Sequence, residues 1–169
     1  MPRNLEIKVR VDSLAPYRRR LGALPAYRRL AVLRQSDHYF RTPRGYLKLR
    51  VVKGGLSELI YYVRPRRRGA RQSVFSRWRV EDPPSALRLL TAALGIDAVV
   101  RKTREVLVRD GARIHLDRVA GLGLFVEVEV MVEHGIRQAS RLMERTLDDL
   151  QLPPASTPGS YRDLLRRRR

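Results

Sequence analysis

Two short runs far apart in this chain place charged side chains on every second residue: Leu5-Glu6-Ile7-Lys8-Val9-Arg10-Val11-Asp12 near the start and Phe125-Val126-Glu127-Val128-Glu129-Val130 near the end. Successive side chains of a strand point to opposite faces, so Glu6, Lys8, Arg10 and Asp12 share one face and Leu5, Ile7, Val9 and Val11 the other. One such run by itself describes an antiparallel strand with one wet side. Its recurrence in several predicted strands is what constrains the fold.

The coarse pattern supplies those strands. Leu14 to Leu24 reads as a short helix capped by Asp12 or Ser13 and ended by Pro25, and a second short helical segment is expected over Ala26 to Leu33. Strands follow at Ser36–Phe40, Tyr46–Val52, Glu58–Arg64 and Val74–Glu81, with Thr42-Pro43-Arg44-Gly45 and Gly54-Gly55 as turns. A helix from Pro84 or Ser85 to Leu94, stopped by Gly95, precedes strands at about Val99–Arg109, Ala112–Val119 and Leu124–Val132. Asp110-Gly111 and Ala120-Gly121-Leu122-Gly123 are the turns between them. Ile136 to Leu150 is an amphipathic helix, and Ser160 to Leu165 one more helical turn.

Collected by face, Glu6, Lys8, Arg10, Lys48, Arg50, Arg64, Arg77, Arg79, Lys102, Arg104, Asp117, Glu127 and Glu129 fall together. An antiparallel protein accommodates them either on the wet face of an open sheet or inside a closed barrel with a charged channel. Three helices need apolar sheet surface, which Leu5, Ile7, Leu47, Leu49, Val126 and Val128 supply, so the helices belong outside and the charge inside. With 169 residues, 43% of them hydrophobic, one domain is expected over residues 1–165, followed by a basic tail at 166–169.

The chemistry of that channel is anion chemistry. The formal charge is +19, and since Lys8, Lys48, Lys53 and Lys102 are the only lysines the excess is mostly arginine, the side chain suited to bidentate phosphate recognition. Polyanionic partners follow, either nucleic acid or phosphate-rich small molecules. The absence of cysteine removes disulfides and thiolate metal sites and agrees with a reducing cytoplasm. No apolar stretch approaches the ~20 residues of a membrane helix, so no membrane partner is expected. A triphosphate suits the channel: its charges call for several Arg and Lys contacts, and carboxylates can hold Mg²⁺ or Mn²⁺ beside it. Positioning and charge stabilisation do most of such chemistry, so the lack of a Ser/His/Asp or Cys/His set is no obstacle.

These residues resemble the CYTH domain family of triphosphate tunnel metalloenzymes, and within it the class IV adenylyl cyclase branch. Asn4-Leu5-Glu6-Ile7-Lys8 stands where the family carries Glu-x-Glu-x-Lys, and Asp37-His38-Tyr39-Phe40 resembles its Asp-x-Tyr-Phe stretch. Leu47-Lys48-Leu49-Arg50 and Tyr62-Val63-Arg64 resemble its phosphate-binding strands, and the segments at 101–104, 114–117, 121–127 and 160–165 are similar in order and spacing. The resemblance implies an α+β fold, a closed eight-stranded antiparallel tunnel barrel with helices packed outside. It implies Glu6 and Glu127 as metal ligands, Asp117 and Glu129 as additional acids, and Lys8, Arg50, Arg64, Lys102 and Arg104 as phosphate contacts. Arg10, Lys48, Arg77 and Arg79 join the phosphate set by sharing the charged face, and Glu6, Lys8 and Glu127 form the candidate catalytic set. One departure stands out: Asn4 replaces the first Glu of the signature with a neutral, weaker ligand.

The activity implied is metal-dependent conversion of ATP to cyclic AMP and pyrophosphate, with hydrolysis of an organic or inorganic triphosphate as the alternative. The basic loop Arg64–Arg71 and the arginine tail raise a third reading, a non-catalytic RNA- or polyphosphate-binding module, although charge alone produces non-specific nucleic-acid attraction. His115 reads as a polar barrel residue, since no second His lies at ligand spacing. Tyr161 either caps the tunnel end or anchors the terminal helix, and a homodimer is the default assembly.

Overall fold

The computed structural model describes residues 3–63, 71–153, 157 and 159–168. In chain order the elements are β1 (Arg3–Val11), α1 (Ala15–Ala23), β2 (Arg28–Phe40), β3 (Tyr46–Val52), β4 (Ser57–Val63), β5 (Arg71–Val80), α2 (Pro83–Leu94), β6 (Ile96–Arg109), β7 (Ala112–Val119), β8 (Gly123–Met131), α3 (Ile136–Leu150) and α4 (Tyr161–Arg166). The eight strands close in the order β1-β5-β4-β3-β2-β6-β7-β8, and every neighbouring pair is antiparallel. The barrel closes through a short seam, the ladder of Arg3–Glu6 of β1 with Arg71–Val74 of β5, so among the described residues 75–80 of β5 pair with β4 alone.

The alternation read from sequence decides which face is which. Leu5, Ile7, Ile114, Leu116, Val126, Val128 and Val130 turn outward and form one core with α1 and α3. On α3 the buried residues Ala139, Met143, Thr146, Leu147 and Leu150 fall at helical spacing, one stripe laid on the barrel. The expected outer coat therefore exists. Against α1, the cap differs from expectation: Leu14 occupies the N-cap without a side-chain bond, and Ser13 Oγ instead accepts from the Ala15 N–H at 3.2 Å.

A second core lies inside the barrel at one end. Tyr39, Ile60, Tyr62, Phe75, Ala98, Val100, Val119, Leu122 and Phe125 gather there around Tyr161 of α4. α4 is short, and its start is held by a capping box between Ser160 and Asp163. Arg162 and Arg166 both pair with Asp97 at the start of β6, tying the helix down. Beside it Thr157 accepts from the Arg10 N–H through its hydroxyl at 3.0 Å and donates its own N–H to the Lys8 carbonyl at 2.6 Å. That continues the ladder of β1 where its pairing with β5 stops at Glu6.

One expectation fails. Of the helical segment expected at Ala26 to Leu33, Ala26 lies in a turn and the residues from Arg28 on are the first part of β2, a single strand of 13 residues. It pairs with β6 from Arg28↔Val108 through Phe40↔Ile96, with shifts of register at Arg29/Ala31 and Tyr39/Phe40. Local helix preference is worth only tenths of a kcal/mol per residue, and a full ladder against a long neighbour outweighs it. The turns are as read. Asp110 and Gly111 take φ of 23° and 83°, the left-handed pair that a two-residue hairpin demands. At Gly45 a Cβ would sit 2.7 Å from the Tyr61 hydroxyl, so the β2–β3 turn needs glycine for space as well as for its φ of 66°.

Candidate active site

Inside the barrel, above the aromatic end, lies a buried population of charge: Glu6, Lys8, Asp37, Lys48, Lys102, Arg104, Asp117 and Glu127 are all buried, and the Arg50 side chain nearly so. Strand parity turns them toward the axis, since those on one strand lie an even number of residues apart, and the stagger of the closed sheet sets how deep each sits. The register brings them across from one another. Lys8 faces Glu127, Arg104 faces Asp117, and Asp37 faces Arg50 as Cα partners.

The charges fall into two groups. On the adjacent strands β3, β2 and β6, one carboxylate serves three cations. Asp37 Oδ2 accepts from Lys48 Nζ at 3.0 Å and from Lys102 Nζ at 2.9 Å, while Arg50 donates Nε to Oδ1 at 2.8 Å and Nη2 to Oδ2 at 3.0 Å. Burial pushes the Asp37 carboxyl up, but Arg50, Lys102 and Lys48 more than offset that and hold it well below the usual range. Burial, reinforced by the neighbouring Arg50, lowers Lys48 to about 7. Lys102, desolvated in the same way, falls to about 8.

The second group spans β1, β7 and β8 and is richer in acid. Lys8 Nζ lies 3.3 Å from Glu6 and 3.4 Å from Glu127. Arg104, reaching across from β6, forms a bidentate pair with Asp117 (2.7 and 2.5 Å) and a further bond to Glu127. His115 Nδ1 stands 3.3 Å from Glu127, and the Tyr161 hydroxyl donates to Asp117 at 2.7 Å. Burial raises the Glu127 carboxyl, yet Lys8 and Arg104 hold it well below the ordinary value. Tyr161 goes the other way: burial, then Asp117 and Glu127, push its hydroxyl well above the usual tyrosine range. Its ring also lies under cations, 4.1 Å from Lys8 Nζ and 5.4 Å from Lys102 Nζ.

Of the residues expected in the site, Glu6, Lys8, Lys48, Arg50, Lys102, Arg104, Asp117 and Glu127 are thus brought together. Glu129 lies beside them, half-buried, accepting from the Asn4 amide nitrogen. Arg10, Arg77 and Arg79 are exposed and stand outside the buried cluster, with Arg77 paired to Glu58 at 3.8 Å. Arg64 falls outside the described residues, as does most of the basic loop. Sequence reading left Asp37 out of the site and placed His115 there only as lining. Asp37 lay in a stretch quoted for its family likeness, and its two-residue spacing from Gln35 and Tyr39 on an inward face was the signal available. His115, read as a polar barrel residue, is a direct partner of Glu127.

A divalent metal would find oxygen donors in the acidic group. The Asn4 amide is oriented by its bond to Glu129, so its buried Oδ1 carries no hydrogen-bond partner among the described residues. An orphaned carbonyl oxygen beside carboxylates is an all-oxygen donor set of the kind Mg²⁺ and Mn²⁺ take. Among the described residues, however, no three His, Asp or Glu side chains already converge at metal-holding geometry. The residues fit a metal; each present carboxylate is meanwhile engaged by a cation or an amide.

The fold and this lining together define a class of protein, a closed antiparallel barrel that encloses ionised side chains in a tunnel. The CYTH domain model matches residues 2–158, and the chain belongs to the CYTH domain family. Among solved structures it is similar to the PH1012 protein of Pyrococcus horikoshii (23% identity, TM-score 0.85, 95% of this chain and 98% of that one). It is similar too to a candidate adenylate cyclase of Vibrio parahaemolyticus (19%, TM-score 0.81, 96% and 97%). A third, from Hippeastrum, is a candidate adenylyl cyclase with a dominant triphosphatase activity (15%, TM-score 0.72, 100% and 97%). Among curated proteins no sequence matches. These likenesses establish the fold.

Proposed function

We propose that this protein is a metal-dependent enzyme acting on a triphosphate, and that its first reaction is cyclisation of ATP to cyclic AMP and pyrophosphate. The observation that carries the reading is the division of the tunnel into a cationic group on β2, β3 and β6 and an acidic group on β1, β7 and β8. They meet at Lys102 and Arg104, two residues apart on one face of β6. A phosphate chain laid along the cationic group meets Lys48, Arg50 and Lys102, and its other end reaches Lys8 and Arg104.

Glu6, Glu127 and Glu129, with the Asn4 carbonyl, would hold Mg²⁺ or Mn²⁺, which when bound supplies Lewis acidity at a phosphate oxygen. The chain's own groups do the rest. Arg104, pinned on one side by Asp117, offers its remaining N–H groups to the charge that develops on a departing pyrophosphate. Burial of the whole set excludes bulk water and strengthens each of these contacts. The closed aromatic end sets how far a phosphate chain can enter.

Hydrolysis is the second reading, favoured by His115. Its Nδ1 faces the ionised Glu127 at 3.3 Å and donates there, which would leave Nε2 as the nitrogen that could take a proton from water. The triphosphatase activity of the Hippeastrum neighbour on the same fold supports it. The test is product analysis with ATP, and separately with tripolyphosphate, in Mg²⁺ or Mn²⁺. Cyclic AMP with pyrophosphate supports cyclisation; orthophosphate release supports hydrolysis. Glu127→Gln is expected to lower either turnover by about 100-fold or more, because it removes a charged ligand and unbalances Lys8 and Arg104. Full activity in that variant would reject the site. We also propose a cytoplasmic location, consistent with the cysteine-free sequence; among the described residues no helix is long and apolar enough to cross a membrane.

A further inference from the structure

Three cations of the cationic group converge on one point. Lys48 and Arg50 come from β3 and Lys102 from β6, the two strands that flank β2 in the barrel. Brought this close, like charges repel strongly at low dielectric, and long side chains free to turn away would do so. What prevents it is a single carboxylate. Asp37 is about 1% exposed and binds all three, with both ammonium groups on the same oxygen and the guanidinium bidentate.

Each bond uses only part of a donor's capacity. An ammonium gives one N–H to Asp37 and keeps the others, and the guanidinium still has donors beyond the two it spends. Asp37 itself is a poor phosphate contact, since its charge would repel the ligand. Resting on the triphosphate reading above, we infer that Asp37 is a positioning residue: it gathers Lys48, Arg50 and Lys102 from two strands onto one carboxylate and so presents their remaining N–H groups, prearranged, to a phosphate chain. The set is held in place before ligand arrives, and the ordering cost is met on folding instead of on binding.

The surroundings of this hub are accounted for from each side. Gln35 and Tyr39 flank Asp37 on β2, Glu58 of β4 is the Cα partner of Arg50, and Tyr39 and Tyr62 lie 5.4 and 5.7 Å from Lys48. Beyond Lys102 stand Arg104, Asp117 and the ring of Tyr161. Asp37 is the only one of these acids that bonds the lysines directly among the described contacts. Removing its charge therefore leaves both ammonium groups buried among cations and drives them toward the neutral form.

The experiment is calorimetric titration with tripolyphosphate in the absence of divalent metal, at pH 6 and pH 8. It uses the native protein, Asp37→Asn and Asp37→Glu, with thermal unfolding of each variant alongside. Asp37→Asn is expected to weaken binding about tenfold or more at pH 8, the loss of one charge-assisted contact, and clearly less at pH 6, where the lysines regain protons. Asp37→Glu is expected to keep the native pH dependence at reduced affinity. Equal weakening at both pH values, or none, would overturn the positioning role, because a merely structural lesion has no reason to follow lysine protonation. Native protein that binds no tripolyphosphate at either pH, with Mg²⁺ added as well as without it, would instead overturn the triphosphate reading. Should Asp37→Asn fail to fold, Lys48→Met decides: with one tenant of the shared oxygen gone, the high-pH loss of binding moves upward, and an unmoved profile counts against the hub.

Discussion

At the scale of single residues, strand parity gave each charge its face and the register across strands gave it its partner. Asn4 shows how far a residue can be read without coordinates: its neutrality is evident from sequence, whereas the orphaned Oδ1 and the bond to Glu129 exist only once β1 lies beside β8. Tyr161 shows the reverse, because both roles weighed for it hold. It packs edge-on to Phe125 at 5.0 Å, closing the barrel end, and its hydroxyl donates to Asp117. Tyr161→Phe keeps the ring and loses the bond, so a destabilisation of about 1–2 kcal/mol is expected in urea unfolding. A neutral result would mean that Arg104 alone satisfies Asp117.

At the scale of elements, helices and strands differ in what they contribute. α3 is the main cover of the barrel, and Leu150 at its end is fully enclosed. Leu150→Ala should cost about 2–5 kcal/mol through lost burial and the cavity left behind. Leu89 on α2, 70% exposed, is the control: Leu89→Ala should shift stability by no more than about 0.5 kcal/mol. A chemical-denaturation series on both variants checks the contrast. The amphipathic stripe of α3 was legible because its burial partners lie on a surface of the same period. β2 was not, because Ala26 to Leu33 carries no clean alternation, and Leu30 and Val32 end up 55% and 49% exposed. Only β6, fourteen residues long and pairing with β2 from end to end, gives that stretch a reason to be extended.

At the scale of the whole molecule, a tunnel full of ionised groups links stability to pH from both sides. Asp37 and Glu127 titrate well below their ordinary values in the native state. Their contribution is complete above the unfolded carboxylate range near about 4 and is lost as pH falls below it toward the native values. Lys48 and Lys102 are depressed to about 7 and about 8, so between those values and the unfolded lysine range the unfolded chain binds more protons. There stability rises with pH. The melting temperature is therefore expected to fall steeply between about pH 4 and 3 and to go on rising from pH 7 to 9. Scanning calorimetry across that range tests both limbs, and a melting temperature that declines from pH 7 to 9 would show that the lysines are not buried as described.

The sequence by itself determined the period-two alternation, hence the two faces, the outer apolar coat and the charged inner face, since strand parity needs no partner to be read. It also carried the family likeness across nearly its full length. Only the tertiary structure decided who neutralises whom. Closure of eight strands with a particular register put Asp37 between β3 and β6, set His115 against Glu127, and left Arg10, Arg77 and Arg79 in solvent although they share the charged face. Parity assigns a residue to a face, but depth along the barrel axis depends on the stagger between neighbouring strands. That stagger is a property of the closed sheet and of no single segment.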